Sequence, residues 1–195
     1  MIKTQEDYGF YLDADKIALG IKKKKPDMIG DEIWKFQRLM RKTEYYNNCK
    51  KSLLWKPYIL ILKYWYYRNS VKLGFSIPLN VFGPGLSIAH RGTIVVNGAT
   101  QVGKNCRIHV CVNIGTKAGF SEISPVIGNN VYIGPGVKIF GDVKIADDIA
   151  IGANAVVNKS FEEPGISIAG VPAKKISDTG SGGAVIRATE LICAN

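Results

Sequence analysis

The stretch that decides the fold is residues 126–157, VIGNNVYIGPGVKIFGDVKIADDIAIGANAVV. An aliphatic residue returns every sixth position, at Ile127, Ile133, Ile139, Ile145, Ile151 and Val157. Glycine follows several of them directly, at Gly128, Gly134 and Gly152. A second small or branched residue stands four further on, as at Val131, Val137, Val143, Ile149 and Ala155. A period of six matches neither an α-helix, which repeats every 3.6 residues, nor an extended strand, which repeats every 2. It is the step of a triangular parallel β-solenoid, in which each hexad builds one side and one corner. The aliphatic anchor must then point into the prism, where stacked coils bury what a single coil cannot. Glycine after the anchor is expected at the corner, where backbone angles are unusual.

Working outward, the step continues upstream through Val102, Ile108 and Ile114, and further to Phe82, Ile88 and Ile94 with a two-residue slip before Val96. Ile114 to Ile127 spans 13 residues, seven more than a hexad. The insert is roughly residues 116–124, TKAGFSEIS. A solenoid gives up stacking only where a loop leaves the prism, and such loops commonly carry binding work. A tolerated surface insertion is the plain alternative.

The front third differs in composition. Residues 1–72 carry 16 Lys/Arg against 8 Asp/Glu, so most of the formal charge of +10 lies there. They also hold 13 of the 19 aromatic residues and only 3 of the 21 glycines. This break sets three expected units: a basic, aromatic, helical region at 1–72, the solenoid at 73–176, and a flexible tail at 177–195 whose TGSGG run has linker composition. Asp31–Lys42 reads as a short amphipathic helix with Ile33, Phe36 and Met40 on one face and Asp31 as its cap. Glu44–Trp55 reads as a second helix and Tyr58–Tyr67 as a third, with Lys22–Lys25 as an exposed basic loop. Lysines beside aromatic stretches suit packing on the prism with solvated charges, or attachment to an anionic membrane surface. No nucleic-acid motif accompanies them. The start of the chain has no apolar signal core, which points to the cytoplasm or the inner face of its membrane. Cys49, Cys106, Cys111 and Cys193 lack paired spacing and read as free thiols.

The hexad repeat, IAHRGTIVV at residues 88–96, the looped-out coil and the closing AGVPAKKI at 169–176 resemble the left-handed β-helix acyltransferases, over about residues 75–176. The closest likeness is to serine acetyltransferases and to relatives that O-acetylate polysaccharides. The resemblance implies a left-handed parallel β-helix, a mainly β fold with an N-terminal helical segment. It also implies an acetyl-CoA donor, a homotrimer, and sites in the grooves between prisms. It places the catalytic base at His90, one of only two histidines in the chain. Imidazole titrates near neutral pH, so it can take a proton from a hydroxyl and return it to a leaving thiolate. The other, His109, is expected at a coil corner, either facing an acceptor or merely structural. Along the donor's arm the resemblance places Thr116, Pro135 and Ala153, flanked by Gly115, Gly134 and Gly152, with Lys117 in the loop. Lys159, Lys174 and Lys175 are candidates for the nucleotide phosphates.

The sequence departs from serine acetyltransferases where that family pairs its base with an aspartate fifteen positions earlier. Here that position is Phe75, and the acidic residue just before the base is Ala89. Ser124 stands where a second histidine precedes the proline. The group that orients His90 is thus unassigned: a backbone carbonyl, Asn80, or a carboxylate from a neighbouring subunit. These losses favour a sugar or glycan hydroxyl over serine, with Phe75 expected to stack on the sugar face. Serine O-acetylation, a non-catalytic scaffold and a zinc hydrolase are the alternatives. The last needs three histidine ligands, and no metal-ligand cluster is visible in the sequence.

Overall fold

The computed structural model describes residues 1–120 and 122–194. Three helices come first: α1 (Gln5–Ala18), α2 (Glu32–Cys49) and α3 (Lys56–Leu73), with a 3₁₀ turn at Leu53–Trp55 before α3. Fourteen short strands follow in chain order. They are β1 (Phe75–Ser76), β2 (Ser87–Ile88), β3 (Ile94–Val96), β4 (Gln101–Val102), β5 (Arg107–Ile108), β6 (Val112–Gly115) and β7 (Val126–Ile127). Then come β8 (Tyr132–Ile133), β9 (Lys138–Phe140), β10 (Lys144–Ile145), β11 (Ala150–Ile151), β12 (Val156–Val157), β13 (Ser167–Ala169) and β14 (Lys174–Ser177), before a short closing helix, α4 (Ala188–Cys193).

The strands form three faces of a prism. The first holds β1, β3, β6, β9 and β12; the second β4, β7 and β10; the third β2, β5, β8, β11 and β13, with β14 closing it antiparallel. All other pairings are parallel. Ala150 pairs with Tyr132, and Val156 with Lys138, eighteen residues or three hexads apart. Across the insert the step is longer by seven: Tyr132 pairs with Arg107 and Lys138 with Asn113. Anchors from Ile108 to Val157 point inward and are buried. Each fully buried aliphatic side chain contributes about 1.5–3 kcal/mol.

The glycines after the anchors are not there for unusual angles, as the sequence had suggested. Gly103, Gly128, Gly134 and Gly152 have ordinary φ values, and a Cβ on Gly134 would stand 2.8 Å from the Ile151 carbonyl oxygen of the next coil. Close stacking excludes the side chain. Positive φ falls further along each corner, at Asn105, Asn130 and Asp148 and at Cys111, Gly136 and Asn154.

The helices close the open end of the prism. Backbone groups of the first coil have no preceding coil to pair with, and polar side chains replace it. Arg41 donates to the carbonyls of Phe82 and Gly83. Asp15 accepts from the backbone of Gly85 and Leu86, and Glu44 from that of Asn80. Gln37 donates to the Leu86 carbonyl, and Tyr66 to that of Ile77. Arg41 is fully buried between Asp15 and Glu44, at 2.8 and 3.0 Å.

Several expectations change. The fold is a solenoid with a substantial helical cap, not mainly β. Helix α1 was not foreseen. The first two helices read from the sequence are one, α2, which ends at Cys49. Asp31 precedes α2 without capping it, because its carboxylate pairs with Lys23 and accepts from the Asp27 backbone. The described part of the tail is docked on its own solenoid. Thr189 exchanges hydrogen bonds with Asn105, Ser181 donates to the Asn130 carbonyl, and Arg187 pairs with Asp148 at 2.6 Å. Among the described residues no helix is long and apolar enough to cross a membrane.

Candidate active site

His90 lies on the corner between the third and first faces, and its corner is unusually long. Ile88 pairs with Ile108 and Ile94 with Val112, so five residues bridge the faces in the upper coil and three in the coil below. The two extra residues push His90 and Arg91 outward, and both are exposed. Gly92 allows the close pass over Val110: its φ is 133° and a Cβ there would collide with the valine.

The two histidines are neighbours. Their ring centroids are 5.9 Å apart, and His109 lies 5.1 Å from the Tyr132 ring in the next coil. His109 is half-buried, and its Nε2 is buried with no hydrogen-bond partner. Burial first, then the electrostatic influence of Arg107 and of His90, pushes its pKa below the ordinary histidine value. His109 therefore holds a proton less readily than a free imidazole. Tyr132 was missed by the sequence reading, although it precedes an anchor just as Arg107 does, which puts both on the outer surface of the third face.

Below His109 the same corner carries small residues. The register aligns Ala89, His109, Gly134, Gly152 and Ala169 in one column, each directly after a paired isoleucine. Pro135 and Ala153 follow the two glycines on the same corner. The column ends at Lys174, the partner of Ala169 in the closing hairpin. Lys174 is exposed and, among the described residues, makes no ion pair. Lys175 is already engaged, with Glu163 at 2.6 Å and Asp178 at 2.5 Å.

Gly115, Thr116 and Lys117 do not join this group. They leave the opposite edge of the first face, where the insert begins, and Lys159 follows β12 at the same edge. The Lys117 ammonium lies over the Phe120 ring, 5.3 Å from its centroid, and Lys159 likewise over Phe161 at 5.4 Å. Ser124 shares a hydrogen bond with Thr100 at 2.7 Å. The candidate residues thus fall into two groups on two corners of the prism.

Phe75 is not a ligand platform. It pairs with Ile94, shares that residue's inward face, and packs edge-on to Phe36 at 5.1 Å with 4% of its surface exposed. Asn80 does not orient His90 either, since its side chain is held by Asn48. Among the described residues no side chain hydrogen-bonds the His90 ring. The surroundings are basic: Arg107 donates to Ser87 at 3.2 Å, and Lys138 to the Cys111 carbonyl at 2.5 Å. Between Glu44 and Glu122 the chain has no acidic residue at all. Among the described residues no three His, Cys, Asp or Glu side chains converge as metal ligands.

The bacterial transferase hexapeptide family (six repeats) matches residues 124–159. That match spans β7 to β12 of the solenoid. Among curated proteins, the serine acetyltransferase of Helicobacter pylori strain J99 is 35% identical over 96 residues, covering 49% of this chain and 56% of that one. The serine acetyltransferase of Mycobacterium tuberculosis is 34% identical over 103 residues, 52% of this chain and 44% of that one. The chain thus spans about half the length of the curated relatives it matches. Among solved structures, the serine acetyltransferase of Brucella abortus superposes with a TM-score of 0.69 at 23% identity, covering 91% of this chain and 72% of that one. The same enzyme in complex with coenzyme A gives 0.66 at 23% identity, over 90% and 68%. At this identity the likeness establishes a shared fold, and its reach over 91% of the chain takes in the helical cap.

Proposed function

We propose that the chain is an acetyl-CoA-dependent O-acetyltransferase with His90 as general base, working as a homotrimer in the cytoplasm. The observation that carries this is the exposed His90, on its extended corner, at the head of a column of small residues that ends at an unpaired lysine. His90 takes the proton from an acceptor hydroxyl as its oxygen attacks the thioester carbonyl. The tetrahedral intermediate collapses to the acetyl ester, and the departing CoA thiolate takes the proton back from the imidazolium. The pantetheine arm runs over Gly134, Pro135, Gly152 and Ala153, where no side chain obstructs it, and Lys174 meets the nucleotide phosphates. His109, whose ring lies 5.9 Å from that of His90, is the candidate for hydrogen-bonding the acceptor or the reacting oxygen. Association of copies brings the insert of one chain, with Gly115, Thr116 and Lys117, against the His90 corner of the next. There an N–H of the insert can meet the oxyanion.

The first acceptor is L-serine, the substrate in the names of the matched relatives. This reverses the order given by the sequence, whose support from Phe75 disappears with that ring buried. A sugar hydroxyl remains the second reading on one specific observation. The ammonium group of serine needs a carboxylate partner, and neither the His90 corner nor any residue between Glu44 and Glu122 supplies one. Thiol release from acetyl-CoA, measured with serine and with a panel of sugars, decides between them. Turnover with serine at ordinary metabolic efficiency establishes the first, turnover with a sugar alone the second. Silence with every acceptor, together with no CoA binding, leaves a scaffold that kept only the fold.

A further inference from the structure

Helix α3 buries one stripe, Leu62, Tyr66, Ser70 and Leu73, against the cap. Its other side is apolar too. Leu60, Tyr64, Tyr67 and Val71 follow one another at helical spacing and are 69%, 55%, 65% and 64% exposed. Ile61 and Trp65 lie beside them, at 52% and 55%. The turn before the helix adds Leu53 and Leu54, at 71% and 88%. Apolar surface gathered on this scale marks a site of interaction.

The charges select the occupant. Lys56, Lys63, Arg68 and Lys72 are exposed and interleave with the apolar positions, and among the described residues none makes an ion pair. They belong to a run from Tyr45 to Ser121 with ten Lys/Arg and no Asp or Glu. A second copy presenting its own α3 here would set cation against cation. A lipid surface bearing negative headgroups satisfies the lysines and leaves the leucines and aromatic rings in the boundary layer, where Trp and Tyr settle and lysine stems reach outward. We propose that α3 and the turn before it form a docking surface for an anionic bilayer, with the helix lying in the plane of the headgroups. This does not depend on the proposed acetyl transfer.

The test is co-sedimentation of the full chain with vesicles of phosphatidylcholine alone and of phosphatidylcholine mixed with phosphatidylglycerol. The chain should pellet with the mixed vesicles at low salt, stay in solution with the neutral ones, and be released as salt rises. The pair Lys63→Glu with Arg68→Glu should weaken partitioning by about tenfold or more. Leu60→Ser with Trp65→Ser should weaken it as well. All four side chains are exposed, so far-ultraviolet circular dichroism and the melting temperature should not change. Equal binding to neutral vesicles, or none to anionic ones, overturns the proposal. So does a fall in sedimentation coefficient of the Leu60→Ser, Trp65→Ser chain with vesicle binding intact, since that outcome gives the face to another protein copy.

Discussion

His90 owes its position to two residues. The corner that holds it has five where the coil below has three, and the excess lifts the imidazole clear of the prism. His90→Ala should lower turnover by about 10²–10⁴-fold while circular dichroism stays native, because an exposed side chain adds little to packing; survival of activity removes it as the base. His109 answers to different physics. Burial, then Arg107 and His90 beside it, disfavour its charged form. Its folded pKa lies below the unfolded one, so on acidification the unfolded chain takes up the proton first. Above the ordinary value of 6.5 His109 adds no pH dependence. Stability is lost as the pH falls below it and through the folded value. Titration of the two histidine ring protons by NMR should therefore show the His109 signal moving at a pH below 6.5, and His109→Asn should lessen the acid sensitivity of unfolding. The Phe75 expectation failed for a simple reason. Spacing in sequence located it fifteen residues before His90 but not on a side of its strand, and pairing with Ile94 turns it inward.

At the scale of elements, the solenoid was legible because its anchors repeat at a fixed step and all face the same core. The insert showed as a defect in that step, and the register with Tyr132 and Lys138 moves by the same seven residues. Of the helical cap, α2 and α3 were legible in outline, from the Ile33, Phe36 and Met40 face and the apolar run at Tyr58–Tyr67, but α1 and the polar contacts were not. Those contacts answer to the unpaired backbone of the first coil, a need created by topology that leaves no period in α1 or α2. Composition made the tail look loose, yet Thr189 and Ser181 meet a stack of left-handed Asn and Asp residues that forms only when coils are superposed. Arg41 is the keystone of the cap. Arg41→Met fills similar volume but strands Asp15 and Glu44 as unpaired buried carboxylates. It should cost about 3–5 kcal/mol in urea unfolding, because breaking one side of a buried ionic network leaves uncompensated charge. A loss below about 1 kcal/mol, the range of exposed ion pairs, would mean that water reaches these carboxylates.

At the scale of the whole molecule, the proposed division of the site between two corners sets the strongest demand. His90 and the insert leave opposite edges of the first face, and among the described residues of one copy no hydrogen bond or ring contact joins them. The insert exceeds a hexad by seven residues, so deleting residues 117–123 restores an unbroken six-residue step from Ile114 to the anchor Ile127. The shortened chain should fold at least as stably as the parent and lose acetyl transfer. Retained transfer would make the insert a tolerated loop. The shortened chain and His90→Ala are each expected to be inactive alone, for defects on different corners. Co-expressed in equal amounts, they form mixed trimers in which some grooves join an intact His90 corner to an intact insert from the neighbour. With random assembly about a quarter of all grooves are whole, so the mixture should recover about a quarter of parental activity per chain. Recovery at that level, with a trimer in analytical ultracentrifugation, fixes the site between copies. No recovery from properly mixed trimers would place both parts of the site on one chain.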